Sequence, residues 1–338
     1  MIRGTRVMLL IDREQMFADD PELRSAETRA HAPMEFQLAA TLRKFKCKLS
    51  IVAFTSLERL RQRLADVQPD VVFNVTEHIG GKRARDVDIV AALDDAGVAY
   101  TGATALCLLL CRDKAVSKTI AAQAGVRVPR FTVARRGYPL PDSLPPLPAL
   151  IKPVGRDSSE GIHMKSIART PAQLRSRIDV VHRRYREPAI IEEFIEGVDV
   201  SVGVVETPRL RILPAQQMDI TVKGKGAPLL ASYHTKHNDA YHDRWGIRWR
   251  EAELTRTTRQ QLVRDVKTLF PLLALRDYAR IDFRLDAEGC LYFIEANPNP
   301  GLQANSQGGT WSAVKHSDLV GWILKRALTR GKAMRASG

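Results

Sequence analysis

Continuous apolar runs alternate with amphipathic segments over the first hundred residues. Three such runs, typical of strands that are buried on both faces, lie at 6–12, 48–54 and 70–76. Segments with apolar residues at helical spacing follow at 34–45 and 56–67, and a third helical segment ends at Gly97 before a short strand at 98–102. The alternation predicts parallel strands joined by crossover helices. Because no GxGxxG motif follows the first strand, a dinucleotide-binding role is disfavoured.

The pattern changes after residue 104. One helical pattern runs from Ala105 to Ala124, and the proline-dense stretch 138–148 predicts a loop or hinge. A strand that ends at Lys152 and Pro153 then meets a glycine- and serine-rich loop, and a second strand is expected from Ile162. Backbone N–H groups and serine hydroxyls of such a loop can hold phosphate oxygens, although most loops of this composition are simple turns. The loop alone therefore leaves both interpretations open.

The stretch RIDFRLDAEGCLYFIEANPNPGL, residues 280–302, carries acids within two strand-like runs. The turn DAEG separates the runs, so we expect Leu285 to pair with Cys290 and Asp282 to lie opposite Phe293. By the two-residue period of a strand, one face then carries Arg280, Asp282, Phe293, Glu295 and Asn297. Two carboxylates and an amide oxygen on a half-buried face match the hard ligands of Mg²⁺ bound together with nucleotide phosphates. The alternative is a solvent-facing acid pair on an edge hairpin.

Composition limits the classes of protein to consider. With 338 residues, of which 44% are apolar, the chain is long enough for two or three domains. No apolar run approaches the roughly 18 residues that a membrane helix needs, which predicts a cytoplasmic protein with no membrane partner. The four cysteines are widely spaced except for one i,i+4 pair, and we expect them to be reduced core thiols.

The net charge of +14 invites a nucleic-acid interpretation. The arginines are, however, scattered through segments such as 58–64 and 182–187, where acids and apolar residues interrupt them. No zinc-finger or RNP-type spacing occurs. We therefore expect solvated basic helix faces, and nucleic acid is not an expected partner. A basic field would also favour anionic small substrates.

Several dispersed motifs occur in one order between residues 98 and 306: VAYTG, RDKAVSK, IKPVGRDSSEGI, IIEEFIEGVDVSVGV, HTKHND, RIDFRLDAEG and FIEANPNPGL. Together they resemble the ATP-grasp enzymes of the D-alanine-D-alanine ligase type. The resemblance implies an α/β ATP-grasp fold, in which an N-terminal parallel α/β domain precedes two α+β subdomains that clamp ATP. We place the N-terminal domain at 1–104, the central subdomain at 105–187 and the C-terminal subdomain with the magnesium site at 188–330.

The resemblance also assigns residues to the nucleotide. Those that match phosphate contacts are Lys114, Lys152 and Lys236, with Ser158 and Ser159 in the covering loop. Those that match adenine contacts are Glu192 for the amine, Phe194 and Ile294 for the two ring faces, and Ile195 for backbone hydrogen bonds. Asp199 resembles the ribose acid, a place where relatives more often carry Glu.

For the reaction centre, the resemblance implies two Mg²⁺ ions, replaceable by Mn²⁺, with Asp282, Glu295 and Asn297 as their ligands. Arg280, the backbone N–H of Gly301 and the loop lysine Lys236 resemble catalytic groups, the first two stabilising a charged tetrahedral intermediate. Ser306 matches a substrate-carboxylate contact, and His237 stands where relatives often have Tyr or Trp. The segments 11–22 and 73–86 depart from the family pattern. In the second, Asn74, Glu77 and His78 are candidate first-substrate contacts or parts of a solvated loop.

The function that the resemblance implies is an ATP-dependent carboxylate-amine ligase. Such an enzyme joins amino-acid-like substrates through an acylphosphate and releases ADP and phosphate. The resemblance also implies a homodimer. A genuine D-alanine-D-alanine ligase of cell-wall synthesis is a narrower alternative. A nucleotide-binding regulatory or nucleic-acid-associated module without ligase activity is an alternative of another class. Arg280 argues against that module, because a protein that only binds nucleotide has no need of an oxyanion-stabilising arginine.

Overall fold

A parallel three-stranded sheet of order β2-β1-β3 begins the fold. The computed structural model describes residues 2–15, 20–24, 33–156, 161–222, 224, 229–230, 235, 239–303 and 309–337. The first elements are β1 Arg6–Ile11, α1 Met34–Lys44, β2 Lys48–Ala53, α2 Leu57–Val67, β3 Val71–Asn74 and α3 Asp86–Asp95. Met8 of β1 enters one apolar core and Leu9 enters another. Burial on both faces explains why the run is continuous rather than alternating, as predicted. The short strand expected at 98–102 is a single parallel bridge between Val72 and Tyr100.

The helical pattern that starts at Ala105 is interrupted by Asp113. Two helices replace the single predicted one, α4 Ala105–Arg112 and α5 Lys114–Gln123. Asp113 is extended between them, and its carboxylate accepts hydrogen bonds from the backbone N–H groups of Ala115 and Val116, both at 2.9 Å. This is an N-cap, which starts a new helix. Lys114 therefore opens α5, and Lys118 follows one turn later on its buried face.

The second sheet is antiparallel, with order β4-β7-β5-β6. Its elements are β4 Phe131–Ala134, β5 Ala149–Pro153, β6 Ile167–Ala168 and β7 Ala189–Glu193, and α6 Pro171–Arg184 packs against it. The strand predicted from Ile162 begins later, at Ile167, because a 3₁₀ turn at Met164–Ser166 precedes it. β7 pairs with β4 and β5 although it lies beyond residue 187. The three-part domain division itself stays a prediction.

The third sheet has the order β11-β10-β8-β12-β13, with β9 paired to β8. Its elements are β8 Val198–Glu206, β9 Leu210–Ile212, β10 Gln216–Ile220, α7 Asp239–Trp245, β11 Ile247–Glu251, α8 Arg256–Leu272, β12 Tyr278–Leu285 and β13 Leu291–Asn297. The last helix, α9 His316–Ser337, returns to the N-terminal sheet, where Leu319 and Ile323 pack in the core that contains Phe36. None of the helices that the structure describes combines the length and apolar character required to cross a bilayer.

Candidate active site

A cleft of about 620 Å³ lies where the three sheets meet. Side chains from the loops after β3, β7 and β13 and from the faces of β8 and β12 line it. Its lining includes Glu77, Lys152, Glu192, Phe194, Ile195, Asp199, Arg280, Asp282, Ile294, Glu295, Asn297 and Gly301. Residues that were chosen from separate motifs are thus brought together by the fold. Ser158, Ser159, Lys236, His237 and Ser306 lie outside the residues that the structure describes.

A β-bulge sets the register of the β12-β13 hairpin. Asp282 lies opposite Glu295, and Phe283 lies opposite Phe293, so Ile294 is an extra residue between two pairs. The predicted pairing of Leu285 with Cys290 is wrong, because Leu285 pairs with Leu291. Phe293 is also not on the polar face; it is fully buried, and its ring centroid lies 6.2 Å from that of Phe283. The bulge lets consecutive residues, Ile294 and Glu295, both line the cleft.

The neighbouring strand β8 extends the polar face. Asp199, Ser201 and Gly203 of β8 lie opposite Arg284, Asp282 and Arg280 of β12, respectively. Residues that are opposite each other in a sheet point to the same side. One sheet face therefore carries two acids and a hydroxyl beside two arginines, and β13 adds Glu295 and Asn297.

Asp282 and Glu295, the acids on the two strands of the hairpin, each form an ion pair with a cation of this chain. Arg280 donates to both carboxylate oxygens of Asp282 at 2.9 Å, and Ser201 Oγ donates to Oδ1 at 2.7 Å. Glu295 Oε2 lies 3.7 Å from Nζ of the buried Lys114, which also donates to the Arg156 carbonyl. Burial disfavours the Arg280 charge, but Asp282 and Glu295 outweigh it and raise the pKa of Arg280.

Asp282, Glu295 and Asn297 fit a magnesium site by the chemistry of their donor atoms. All three offer oxygen, the ligand that Mg²⁺ prefers, and Mg²⁺ needs few protein ligands when phosphates supply others. Within the described parts of the chain, no group of three or more His, Cys, Asp and Glu side chains is arranged to hold a metal ion. Because Arg280 already engages Asp282, a cation at this carboxylate competes with the guanidinium.

Glu192 lies between two buried lysines. Lys152 Nζ is 3.1 Å from its Oε2, and Lys118 Nζ is 3.5 Å from its Oε1 and donates to the Phe293 carbonyl at 3.1 Å. Burial, only partly offset by Glu192, lowers the pKa of Lys118 to about 8. Both oxygens of the Glu192 carboxylate thus face a lysine ammonium group. Glu192 also lines the cleft, where it stays a candidate acceptor for the amine of a bound base.

The sequence analysis missed two cations at the site: Arg284, which lines the cleft, and Lys118, which contacts the lining residue Glu192. Lys118 follows the predicted Lys114 by one helical turn, so the spacing held a signal for it. Arg284 follows Asp282 by two residues on a strand, which places it on the same face. Arg284 donates to the Ile195 carbonyl at 3.0 Å and pairs with Asp199 at 2.9 Å. The sequence analysis assigned neither residue a role, and the fold buries both side chains.

The loop that carries Gly301 is held from two sides. Trp311 Nε1 donates to the Gly301 carbonyl at 2.7 Å. Gly203 lets residues 310 and 311 lie against the sheet, since a Cβ there would come within 2.8 Å of Thr310. Near the start of the same loop, Asn299 Oδ1 accepts from the Ala103 backbone N–H at 2.9 Å. These contacts place the Gly301 loop beside Arg280, which lies opposite Gly203.

The three candidates after β3 have different surroundings. Asn74 is buried and does not line the cleft; its Oδ1 accepts from the backbone N–H and the hydroxyl of Thr76. Glu77 lines the cleft, and the backbone N–H groups of Glu77 and His78 donate to Asp12. The His78 ring lies 3.8 Å from both Asp12 and Glu14 and outside the cleft lining. Asn74 therefore has a local structural role, whereas Glu77 stays a candidate substrate contact.

Comparison with known proteins shows the family. A family model described as the D-ala D-ala ligase C-terminus matches residues 142–322. An uncharacterized protein of Sinorhizobium fredii is 32% identical, over 77% of this chain and 75% of that protein. A D-alanine-D-alanine ligase of Citrifermentans bemidjiense is 30% identical, over 72% of this chain and 73% of that enzyme. The crystal structure of D-alanine-D-alanine ligase from Bacillus anthracis complexed with ATP has a TM-score of 0.72 at 17% identity, over 98% of this chain and 99% of that one. This likeness confirms the predicted α/β ATP-grasp fold. The chain belongs to the D-alanine-D-alanine ligase-like family of ATP-grasp ligases, which form C–N bonds.

Proposed function

We propose that this protein is an ATP-dependent carboxylate-amine ligase that joins two amino-acid-like substrates through an acylphosphate. The observation that carries the proposal is the polar face of β12 and β13, where Arg280, Asp282, Glu295 and Asn297 meet the Gly301 loop in one cleft. A module that only binds nucleotide would need cations for the phosphates. It would not need an arginine beside the metal-ligating acids, so this arrangement supports the ligase.

The first step activates a carboxylate. A carboxylate oxygen attacks the γ-phosphorus of ATP, and the bond from that phosphorus to the bridging β-γ oxygen breaks. ADP is the leaving group, and the carboxylate becomes an acylphosphate. Charge spreads over the phosphoryl oxygens, so positioning and electrostatic stabilisation supply most of the rate enhancement. The ammonium groups of Lys114 and Lys152 would provide part of that stabilisation. Magnesium held by Asp282, Glu295 and Asn297 would add positive charge when bound.

The second step forms the amide. An amine nitrogen attacks the acyl carbon, and the carbonyl oxygen becomes an oxyanion that Arg280 and the Gly301 N–H would stabilise. Collapse of this tetrahedral species breaks the bond between the acyl carbon and the phosphate oxygen. Phosphate leaves and can take the proton that the nitrogen loses. The products are ADP, phosphate and an amide.

D-alanine-D-alanine ligase activity is a narrower candidate, which the names of relatives such as the Citrifermentans bemidjiense enzyme favour. The segment after β3 favours a different acid or amine, because it departs from the family pattern and is organised around Asp12. We therefore propose amino-acid-like substrates and include D-alanine among those to be tested. Two magnesium ions, replaceable by manganese, and a homodimer are further parts of the proposal.

Phosphate release from ATP across a panel of D- and L-amino acids, alone and in pairs, tests the function. We expect release with a particular pair, and a product whose mass is the sum of the two substrates minus water. Arg280→Ala should nearly abolish product formation, whereas Arg248→Met, a change of an exposed arginine on β11, should leave it at the wild-type level. Nucleotide binding without a product from any pair, together with salt-sensitive retention on DNA, would favour the regulatory module instead. Light scattering would test the homodimer.

A further inference from the structure

We propose that Arg284 is a positioning residue for the nucleoside end of the cleft, which is the part lined by Phe194, Ile195 and Asp199. This inference rests on the proposed function, because it assumes that a nucleotide binds here. Arg284 is on β12, and its side chain is 6% exposed. Its surroundings set it apart from the many solvated arginines of this basic chain. Three of its contacts are to residues that line the cleft, namely Phe194, Ile195 and Asp199.

The Arg284 guanidinium connects three residues that the family resemblance assigns to adenosine. Its Nε donates to the Ile195 carbonyl at 3.0 Å, and its Nη1 lies 2.9 Å from Asp199 Oδ1. Its central carbon lies 5.3 Å from the centroid of the Phe194 ring. A fourth contact, to the Leu229 carbonyl, uses Nη2. A planar group with five N–H donors can make these contacts at once, which a lysine cannot do.

These contacts order the nucleoside end before a ligand arrives. The carbonyl contact holds the backbone at Ile195, the ion pair holds the Asp199 carboxylate, and the guanidinium lies near the Phe194 ring. Groups that are already in position lose less conformational entropy when a ligand binds, so pre-organisation strengthens affinity. Without Arg284, the mostly buried Asp199 would lose a counter-charge at 2.9 Å.

The groups proposed for the reaction have other partners. Arg280 pairs with Asp282, and Lys114 pairs with Glu295. Replacing Arg284 therefore leaves those contacts in place. The effect should fall on nucleotide affinity and on the KM for ATP, and not on the KM for the amino-acid substrates.

Calorimetric titration of ADP and of ATP, without amino acids, is the direct test. We compare the wild type with Arg284→Met, Arg284→Lys and the exposed control Arg248→Met. We expect about a tenfold loss of nucleotide affinity for Arg284→Met, which corresponds to about 1.4 kcal/mol of binding free energy. Arg284→Lys keeps the charge but not the planar fork, so its affinity should be intermediate. Arg248→Met should bind both nucleotides as the wild type does.

Steady-state kinetics adds a readout that general destabilisation would not reproduce. In Arg284→Met the KM for ATP should rise with the Kd, while the KM for each amino acid stays at the wild-type value. Nucleotide affinity equal to that of the wild type would overturn the inference. Tighter binding would also overturn it, because the guanidinium would then compete with the nucleoside. A wild-type protein that binds neither nucleotide would instead refute the proposed function. If Arg284→Met does not fold, wild-type affinity in Arg284→Lys overturns the inference.

Discussion

Lys118 allows a quantitative prediction about stability and pH. Its ammonium group is completely buried between Glu192 and the Phe293 carbonyl. Burial lowers its pKa from 10.5 to about 8, even though Glu192 opposes this shift. Lys118→Met removes the titrating group and retains a flexible apolar side chain of similar length. The variant should therefore lose one component of the pH dependence of unfolding.

The sign of this component follows from proton binding in the two states. Below pH 8, both the folded and the unfolded protein hold the Lys118 proton, so the cost of the buried charge is constant. Between about pH 8 and 10.5, the folded protein releases this proton while the unfolded chain retains it. The unfolded state then binds more protons, so the free energy of unfolding rises with pH. One group contributes at most about 1.4 kcal/mol per pH unit, or about 3 kcal/mol across the whole interval.

Equilibrium denaturation in guanidinium chloride at several pH values from 7 to 10.5 measures this component. We expect the free energy of unfolding of the wild type, minus that of Lys118→Met, to increase by about 3 kcal/mol over this range. Lys267→Met, which removes an exposed lysine, is measured in parallel as the matched control for the loss of one lysine. Parallel curves for the wild type and Lys118→Met would refute the reasoning, since they would mean that Lys118 titrates alike in both states.

Three further predictions concern the reaction centre. Arg280→Ala should lower kcat by about 10²- to 10³-fold, as the loss of an oxyanion-stabilising donor does, while the Kd for ADP, measured by calorimetry, stays unchanged. Turnover equal to that of the wild type would contradict the catalytic assignment of Arg280. Glu295→Gln should weaken Mn²⁺ binding, followed by electron paramagnetic resonance in the presence of ADP, and equal Mn²⁺ affinity would exclude Glu295 as a ligand. Gly203→Ala should cost about 1–3 kcal/mol in the free energy of unfolding, because its Cβ would lie 2.8 Å from Thr310 Cγ2 and 2.9 Å from the Thr310 carbonyl oxygen; an unchanged denaturation midpoint would show that residues 310 and 311 yield freely.

For the first three strands and the helices between them, the sequence by itself was sufficient for the types of the elements and their order. Continuous apolar runs and helical spacing are local properties, and they predicted the strands and helices of the N-terminal sheet. The sequence also predicted that Asp282 and Glu295 share one face of a hairpin, because strand period and turn composition are properties of neighbouring residues. The order of the motifs then identified the family, which the comparisons confirmed.

The hairpin shows the limit of local reasoning. A regular turn predicted Asp282 opposite Phe293, whereas the bulge at Ile294 puts Glu295 there. The predicted polar face was right for Glu295 and Asn297 and wrong for Phe293. The buried ring of Phe283 explains the difference, because Phe293 packs against it on the core side. Burial in the core thus decided a register that the turn residues alone did not determine.

Only the tertiary structure distinguished the buried cations from the solvated ones. Lys118 meets the Phe293 carbonyl across 175 positions of sequence, and Arg284 meets the Ile195 carbonyl across 89. In a chain with 52 lysines and arginines, local spacing placed Lys118 on the helix face of Lys114 and Arg284 on the strand face of Asp282, but it did not show that either side chain is buried. Burial and charge pairing depend on which distant elements come together, so the environment of Lys118 and the contacts of Arg284 are decided only when the three sheets assemble around one cleft.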